Sequence, residues 1–176
     1  MKKIAVLLLL CPILSHAQLT KQDSRWLPFK SFIGKWTGVS EGQSGSGKYE
    51  RSYEVVLNRK FIEVRNKSIY PPSRDNPAGE VHEDHGFISH DKSRKTFVLR
   101  QFHIEGFVNQ YRVESISPDG KNIVFISEAI ENIPAGWRAK ETYTITSDSE
   151  FIETFELAEP GKDFEVYSKA ILKRVQ

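Results

Sequence analysis

The sequence predicts an all-β fold, an antiparallel up-and-down barrel of about ten strands with a short N-terminal helical lead-in. Two observations support this prediction. After residue 33 helical periodicity is nearly absent, and alternating or apolar runs follow one another instead. Short turn sequences separate these runs, which favours a meander, and closing a meander into a barrel removes its edges and leaves room for a small ligand. A Greek-key sandwich is the competing architecture, but its crossovers usually need longer loops.

The first 17 residues have the features of a secretory signal peptide, so the fold prediction leaves them out. They combine a basic start (MKK), an apolar run over residues 4–14 and small residues before a cleavage site at Ala17. The apolar run is too short for a membrane anchor. We expect residues 18–176 to form one β-barrel domain that is secreted or periplasmic, without a transmembrane segment. The MKK start is typical of a bacterial leader.

Removal of this leader changes the charge and the cysteine content. The chain has 25 Lys and Arg against 23 Asp and Glu, and two of its lysines lie in the leader together with Cys11, the single cysteine. The formal net charge of the remaining chain is therefore zero, which argues against nucleic-acid binding. Without cysteine, the barrel has no disulfide and no thiolate chemistry, so a packed core must stabilise it.

The predicted strands are joined by turn sequences rich in Gly, Pro, Asp and Asn, which supply the backbone angles that tight turns require. Only residues 71–79, PPSRDNPAG, make a longer connection. In chain order the predicted strands are 34–43, 47–57, 59–70, 80–90, 95–104, 106–116, 121–130, 137–146, 150–158 and 163–174.

Alternation within the runs predicts which side chains point into the barrel. The apolar face of run 137–146 carries Glu141, that of run 150–158 carries Glu153, and that of run 47–57 carries Arg51 and Leu57. Buried charges are costly unless paired, so we expect either an Arg51–Glu141 pair in a solid core or a partly wet cavity. Inward polar groups on several strands favour the cavity. The candidate ligand-binding residues are Arg51, Tyr53, Asn66, His82, Asp84, His103, Tyr111, Glu141 and Tyr143.

The segment EVHEDHGFISH, residues 80–90, is rich in residues that ligate metals, but its spacing does not suit a helical metal motif. On a strand, residues two apart share a face, so His82 and Asp84 lie on one side and His85 on the other. A metal site would need a third ligand from another strand, for which His103 is the remaining imidazole. The sequence therefore assigns no metal ligands. Either His82 and Asp84 face the interior, or the histidines of this strand sit at a solvated rim.

The segment FIGKWTGVSEG, residues 32–42, resembles the start of the calycin (lipocalin-like) barrels, in which a helical lead-in precedes a Gly-x-Trp motif. The rest of the chain resembles the nitrobindin family, the haem-binding barrel also found at the end of a THAP-domain protein, and related bacterial barrels. The positions that carry this resemblance are Gly34, Trp36 and Gly38 in the first strand, His82 and Gly86 in the fourth, and His103 and Gly106 after it. Ser40 and Asp84 replace a glycine and a glutamate of the family pattern.

The resemblance implies a haem site with a changed ligand. In nitrobindins a histidine on the final strand holds the iron, whereas the corresponding stretch here, YSKAIL over residues 167–172, has Tyr167 at that position. Tyrosinate can ligate ferric haem. However, alternation on this strand groups Val166 with Ser168 inside and sends Tyr167 outward, unless a bulge intervenes. The sequence therefore favours a barrel without a cofactor and leaves haem, bound by Tyr167, as an alternative.

Together these features predict an exported barrel that binds a small apolar or amphipathic molecule with a polar or anionic group, which Arg51 would meet. The alternative is a small enzyme of the isomerase or cyclase type, in which buried Glu141, or else His82, transfers a proton. The sequence shows no nucleophile elbow, phosphate loop or catalytic triad, so the binding function is favoured and no catalytic residue is assigned. The ligand and the oligomeric state are not indicated.

Overall fold

The described residues form the closed antiparallel barrel that the sequence predicts. The computed structural model describes residues 24–175 except 44 and 75, so the predicted signal peptide, residues 1–17, lies outside the described residues. Each strand pairs with its neighbours in sequence, and the first strand also pairs with the last. The strands are β1 Gly34–Gly42, β2 Gly47–Val56, β3 Phe61–Tyr70, β4 Glu80–Asp91, β5 Thr96–His103, β6 Val108–Ile116, β7 Asn122–Glu131, β8 Arg138–Ser147, β9 Glu150–Ala158 and β10 Glu165–Arg174.

The predicted helical lead-in is a short 3-10 turn, Leu27–Phe29, that packs across one end of the barrel. We call this the closed end. Phe32 follows the turn, and its ring contacts that of Phe151 with a centroid separation of 5.1 Å. Trp36 packs edge-on against the same ring at 4.8 Å, and its indole Nε1 donates a 2.7 Å hydrogen bond to the carbonyl of Phe32. Aromatic side chains thus fill this end.

Arg174, at the end of β10, fastens the lead-in to the barrel. Its guanidinium lies over the Trp36 ring, 4.2 Å from the ring centroid. Two of its nitrogens donate to the carbonyls of Ile33 and Ser31 at 2.7 and 2.6 Å. The backbone of the lead-in therefore has partners although it belongs to no strand. Nowhere in the described residues does a helix reach the length and apolarity that a membrane crossing requires.

The inner faces predicted by alternation are confirmed for the strands that carry polar residues, with two exceptions. Among the inward residues, Arg51, Asn66, Asp84, Glu141 and Glu153 are all buried. The prediction for Leu57 was wrong, because this residue lies in the β2–β3 turn at a φ of 50°, where its side chain is 64% exposed. The prediction for Val166 was wrong as well. A bulge interrupts the β9–β10 pairing between Val166 and Ser168, and Val166 is 51% exposed.

Candidate functional site

A cavity of about 520 Å³ occupies the half of the barrel opposite the closed end. Its mouth, the open end, is surrounded by the connections that follow β1, β3, β5, β7 and β9. One wall is apolar and includes Phe107, Ile130, Ile133, Trp137, Phe155 and Leu157. The facing wall, built mainly by β2 to β5, is polar. The volume and the mixed lining match those of small-molecule sites in other proteins.

Most of the predicted ligand-binding residues lie on the cavity wall. These are Arg51, Asn66, His82, Asp84, His103, Tyr111 and Glu141. Tyr53 and Tyr143 lie deeper, where their rings contact Phe32 at centroid separations of 5.9 and 5.6 Å. Both therefore belong to the aromatic packing beneath the cavity rather than to its surface.

Arg51 is paired with Glu153 and not with Glu141, the partner that one of the two sequence-based alternatives gave it. The guanidinium Nε and Nη2 donate to the two carboxylate oxygens of Glu153 at 3.0 and 2.7 Å. Around the barrel wall, β9 lies between β10 and β8, so Glu153 is one strand closer to Arg51 than Glu141 is. Burial lowers the pKa of Arg51, but the charge and hydrogen bonds of Glu153 more than offset this effect, and the pKa is raised above its usual value. The arginine therefore stays charged in the interior.

The remaining donors of Arg51 are also used by the barrel itself. Its Nη1 donates to the carbonyls of Glu50 and Lys67 at 3.0 and 3.2 Å, and the guanidinium lies over the Tyr49 ring at 4.3 Å. A bidentate carboxylate and backbone carbonyls satisfy most of what a guanidinium can donate. Arg51 thus has little capacity left for an anionic group in the cavity.

Glu141 is a buried carboxyl group that forms no ion pair with the residues that the structure describes. The hydroxyl of Tyr143 donates a short hydrogen bond to it. Burial, followed by the nearby charge of Glu153, raises the pKa of Glu141 to about 8. Burial also raises the pKa of Tyr111 well above its usual value. At neutral pH this part of the cavity therefore presents a protonated carboxyl and neutral hydroxyls.

Asp84 is held by two side-chain amides, those of Asn66 and Gln101, a pairing that the sequence does not indicate. Its Oδ1 accepts hydrogen bonds from Asn66 at 2.8 Å and from Gln101 at 3.2 Å. Burial raises the pKa of Asp84 to about 6, and the Arg51 charge opposes the shift. Because both amides turn their NH₂ groups to Asp84, their oxygens have fixed orientations. Within the described residues these two oxygens are buried without a hydrogen-bond partner.

His82 and Asp84 share one face of β4, and of the two directions that the sequence left open this face looks into the cavity. The strand register adds His103 to them. Asp84 pairs with His103 across β4 and β5. His103 Nδ1 lies 3.3 Å from His82 Nε2, and His82 Nδ1 lies 2.7 Å from a carboxylate oxygen of Glu105. Burial, followed by the proximity of His82, lowers the pKa of His103 to about 3, so its ring is neutral at physiological pH. His85 points outward, where it contacts Glu63 at 2.8 Å.

Tyr167 lines the mouth of the cavity because it is the residue that the β10 bulge leaves unpaired. Regular alternation predicted the outward direction, and the bulge reverses it. Its ring packs edge-on against Phe155 at 5.9 Å. Burial, followed by the charge of Glu80, raises the pKa of Tyr167, with Glu105 acting in the same direction.

These surroundings do not fit a haem bound by Tyr167. A tyrosinate ligand requires loss of the phenol proton, which the acidic residues Glu80 and Glu105 at the mouth oppose. The same carboxylates disfavour the haem propionates. Among the described lining residues, Arg51 is the only arginine or lysine, and it is already paired. The donor set therefore supports no step through haem.

The geometry thus defines a closed ten-stranded β-barrel with a polar cavity open at one end. No family model matches the chain, and no curated protein matches it. Among solved structures, the chain is similar to the crystal structure of Rv2717c from M. tuberculosis, with a TM-score of 0.65 and 16% identity over 90% of this chain and 100% of that one. At this identity the similarity shows the barrel fold alone.

Two designed barrels are more distantly similar to the chain. A redesigned β-barrel has a TM-score of 0.42 and 10% identity, over 83% of this chain and 93% of that one. A de novo designed fluorescence-activating β-barrel has a TM-score of 0.39 and 16% identity, over 82% of this chain and 94% of that one.

Proposed function

We propose that this chain is an exported barrel that binds a small amphipathic molecule. The apolar body of the ligand lies against the wall formed around Trp137, Phe155 and Leu157, and its polar group reaches the residues around Asp84. The observation that carries the proposal is the cavity of about 520 Å³, which combines an apolar wall with buried and oriented acceptor oxygens. Such acceptors are costly to bury unless water or a ligand donates to them.

The charges of the lining favour a ligand group that donates hydrogen bonds over an anionic one. On the wall, Arg51 and Glu153 neutralise each other and Glu141 is protonated, which leaves the acids Glu80, Asp84 and Glu105. The oxygens of Asn66 and Gln101 and the carboxylate of Asp84 would accept from a hydroxyl, amide or amine. In this proposal Arg51 shapes the wall and holds Glu153, while Tyr111 and the two cavity histidines add hydrogen bonds.

Export is the second element of the proposal. It rests on the basic start, the apolar run and the small residues before Ala17, which together are typical of a cleaved leader. N-terminal sequencing of the protein recovered from culture medium or periplasm would test it. We expect Gln18 as the first residue, and retention of the intact N-terminus in the cytoplasm would contradict the proposal.

A probe titration tests the binding proposal directly. The neutral aromatic amine N-phenyl-1-naphthylamine becomes fluorescent in apolar surroundings, and we expect it to bind with one-to-one stoichiometry. Ala139 is fully buried on the cavity wall, so Ala139→Phe should fill the space and weaken binding about tenfold or more. The matched control is Ala129→Phe, on the exposed side of β7, which should bind as the unaltered protein does.

Two further measurements sharpen this test. If Ala139→Phe does not fold, as judged by circular dichroism, Ser168→Phe fills the same cavity from β10. The anionic probe 1-anilinonaphthalene-8-sulfonate should bind more weakly than the neutral amine, because the cavity carries excess acid. If the amine bound Ala139→Phe as tightly as Ala129→Phe, the probe would lie outside the cavity, and the proposal would be overturned. Native mass spectrometry of protein from its own source would then identify the natural ligand.

A second candidate is an enzyme that transfers a proton, and the observation that favours it is Glu141. A carboxyl with a pKa of about 8 is protonated near neutral pH and suits a general acid. Once a natural ligand is known, Glu141→Gln separates the two functions. A binding protein keeps its ligand with altered affinity, whereas an enzyme binds the ligand but no longer converts it. His82 is the alternative proton-transfer residue, and His82→Gln tests it in the same way.

Haem remains the alternative that the nitrobindin resemblance implies, with Tyr167 as the ligand. A titration with ferric haem tests it through the Soret band. We expect no band beyond that of free haem, because the acids at the mouth oppose a tyrosinate. A shifted Soret band that disappears in Tyr167→Phe would instead support a haem protein.

A further inference from the structure

His82, Asp84 and His103 bring three potential metal-ligand atoms to one point on the cavity wall. His82 Nε2 lies 3.3 Å from His103 Nδ1 and 3.8 Å from Asp84 Oδ2, and the three atoms lie within 4.8 Å of one another. An ion with tetrahedral geometry and bonds of ordinary length holds neighbouring donor atoms about 3.3–3.6 Å apart. Small side-chain rotations would therefore place all three around one ion.

The backbone dictates this convergence. His82 and Asp84 are two residues apart on β4 and share its inner face. His103 faces Asp84 directly across the β4–β5 pairing. The three side chains thus stand on two adjacent strands of a closed sheet, whose register cannot shift by one residue without turning every inward side chain outward.

We propose that His82, Asp84 and His103 form a binding site for a divalent transition-metal ion, with the open coordination position directed into the cavity. Two imidazoles and one carboxylate suit zinc or ferrous iron, whereas calcium and magnesium prefer oxygen ligands throughout. Three protein ligands with one open position are typical of sites at which a metal meets a substrate or an exchangeable small molecule.

The groups around the three ligands are arranged to hold them. The Asp84 Oδ1 accepts from Asn66 and Gln101, which leaves Oδ2 directed to His82. The Nδ1 of His82 meets the Glu105 carboxylate, and a proton on that nitrogen leaves the lone pair of Nε2 for an ion. Carboxylates commonly orient metal-binding histidines in this way.

His103 has a comparable arrangement. Its ring stacks on Phe107 with a centroid separation of 4.1 Å and an interplanar angle of 22°, which fixes the ring plane. Its Nε2 lies 3.2 Å from the side-chain amide of Asn109, whose oxygen is buried and has no partner within the described residues. Rotation of that amide by half a turn would present the oxygen to an Nε2 proton and free Nδ1 for the ion.

Two arrangements compete with this site. In the first, no ion binds, and the two histidines form a hydrogen-bond chain from Asn109 to Glu105. In the second, an ion binds nearer the mouth to Glu80, His82 and Glu105, whose ligand atoms also come within reach of one another. His82 belongs to both candidate sites, so variants of the other residues distinguish them.

Calorimetric titration of chelator-treated protein with Zn²⁺ alone tests the proposal, with Co²⁺ absorption as a second readout of coordination. We expect one ion per chain and a visible Co²⁺ spectrum of low coordination number. Asp84→Asn and His103→Gln should each weaken Zn²⁺ binding by at least about tenfold, and Glu105→Gln, which keeps an acceptor for His82, by less. Glu80→Gln and His85→Ala are the controls that should leave the affinity unchanged.

The outcomes separate the alternatives. Loss of binding in Glu80→Gln with full binding in Asp84→Asn would place the ion at the mouth and overturn the proposal. Absence of Zn²⁺ binding by the unaltered protein, or equal loss in His85→Ala, would overturn it as well. Circular dichroism of each variant checks that the barrel is folded. The metal titration uses no organic ligand, so its failure leaves the proposed ligand binding intact, and a failure of the fluorescent probe to bind leaves the metal site intact.

Discussion

The two ends of the barrel use the same alternation of side chains for different purposes. At the closed end the inward positions carry aromatic rings, and the indoles of Trp26 and Trp36 donate to the carbonyls of Arg59 and Phe32 at 2.9 and 2.7 Å. At the open end the inward positions carry acids, amides and histidines around a cavity. We infer that packing at the closed end offsets the free energy that burial of polar groups costs at the open end. Variants at the two ends of the barrel test this difference.

The largest effect is expected from removing an aromatic side chain at the closed end. Trp36→Ala should lower the free energy of unfolding by about 3–5 kcal/mol, because it leaves a void among packed rings and removes a buried hydrogen bond. Trp137→Ala, at the mouth, should cost less than half as much, since its side chain already faces the cavity. Urea unfolding measures both. Equal losses would contradict the division of the barrel into a stabilising end and a binding end.

The next effect concerns the ion pair at the boundary of the two halves. Arg51→Met should cost roughly 3 kcal/mol, because it leaves the buried Glu153 carboxylate without its cation. The double variant Arg51→Met, Glu153→Leu should recover most of the loss, since it removes both charges. Urea unfolding of the two single variants and the double variant gives the coupling energy. A double variant no more stable than Arg51→Met would show that the pair is not the reason for the loss.

A smaller, pH-dependent effect is expected from Glu141. The unfolded chain releases this proton near the ordinary pKa of 4.5, whereas the folded barrel keeps it until about pH 8. The folded state therefore binds more protons between these values, and the free energy of unfolding falls as the pH rises. The stability advantage of Glu141→Gln over the unaltered protein should grow by roughly 1–3 kcal/mol between pH 6 and pH 8.

The interval between pH 6 and pH 8 is the informative one for this comparison. Asp84, with a pKa of about 6, contributes in the same direction at lower pH and remains present in both proteins. The difference between Glu141→Gln and the unaltered protein should grow across that interval, as followed by thermal unfolding at several pH values. A difference that stays constant would mean that Glu141 titrates normally in the barrel.

The smallest effect is expected at the mouth, where Tyr49 and Tyr70 share a hydrogen bond of 2.7 Å between their hydroxyls. Tyr70→Phe removes one of these hydroxyls and should cost about 0.5–1.5 kcal/mol, the usual net contribution of a neutral hydrogen bond. Chemical unfolding at pH 7 measures it. A loss as large as that of Trp36→Ala would mean that the mouth, too, is essential for stability.

Most of the fold could be predicted from the sequence, because local patterns determine it. Strand period, turn residues and mostly short connections lead to a meander, and the inward direction of Arg51, Asn66 and Glu141 follows from alternation alone. The long β3–β4 connection was also visible as the Pro-rich segment 71–79. These features depend on neighbours in the chain, so one sequence suffices to recognise them.

The partners within the site could not be predicted in the same way, because they depend on distances across the lumen. Alternation placed both Glu141 and Glu153 inside, but only the strand order around the closed barrel shows which of them reaches Arg51. The sequence suggested His103 as a third ligand beside His82 and Asp84 without indicating the β4–β5 register that brings it there. Gln101 shares the inner face with His103 and could have been found by the alternation argument applied to β5.

The bulge at Tyr167 affects how the sequence of this barrel can vary in evolution. One unpaired residue reverses the alternation of inward and outward side chains in the part of β10 that precedes it. Ser168, Ala170 and Leu172, which follow it, remain buried in the wall. Deleting that one residue would remove the Tyr167 ring from the rim and leave Val166 paired with Glu156 on the outer face, without disturbing the packed end. Insertion or loss of one codon at this point of β10 can therefore change which side chains line the mouth of the cavity, while the rest of the barrel stays unaltered.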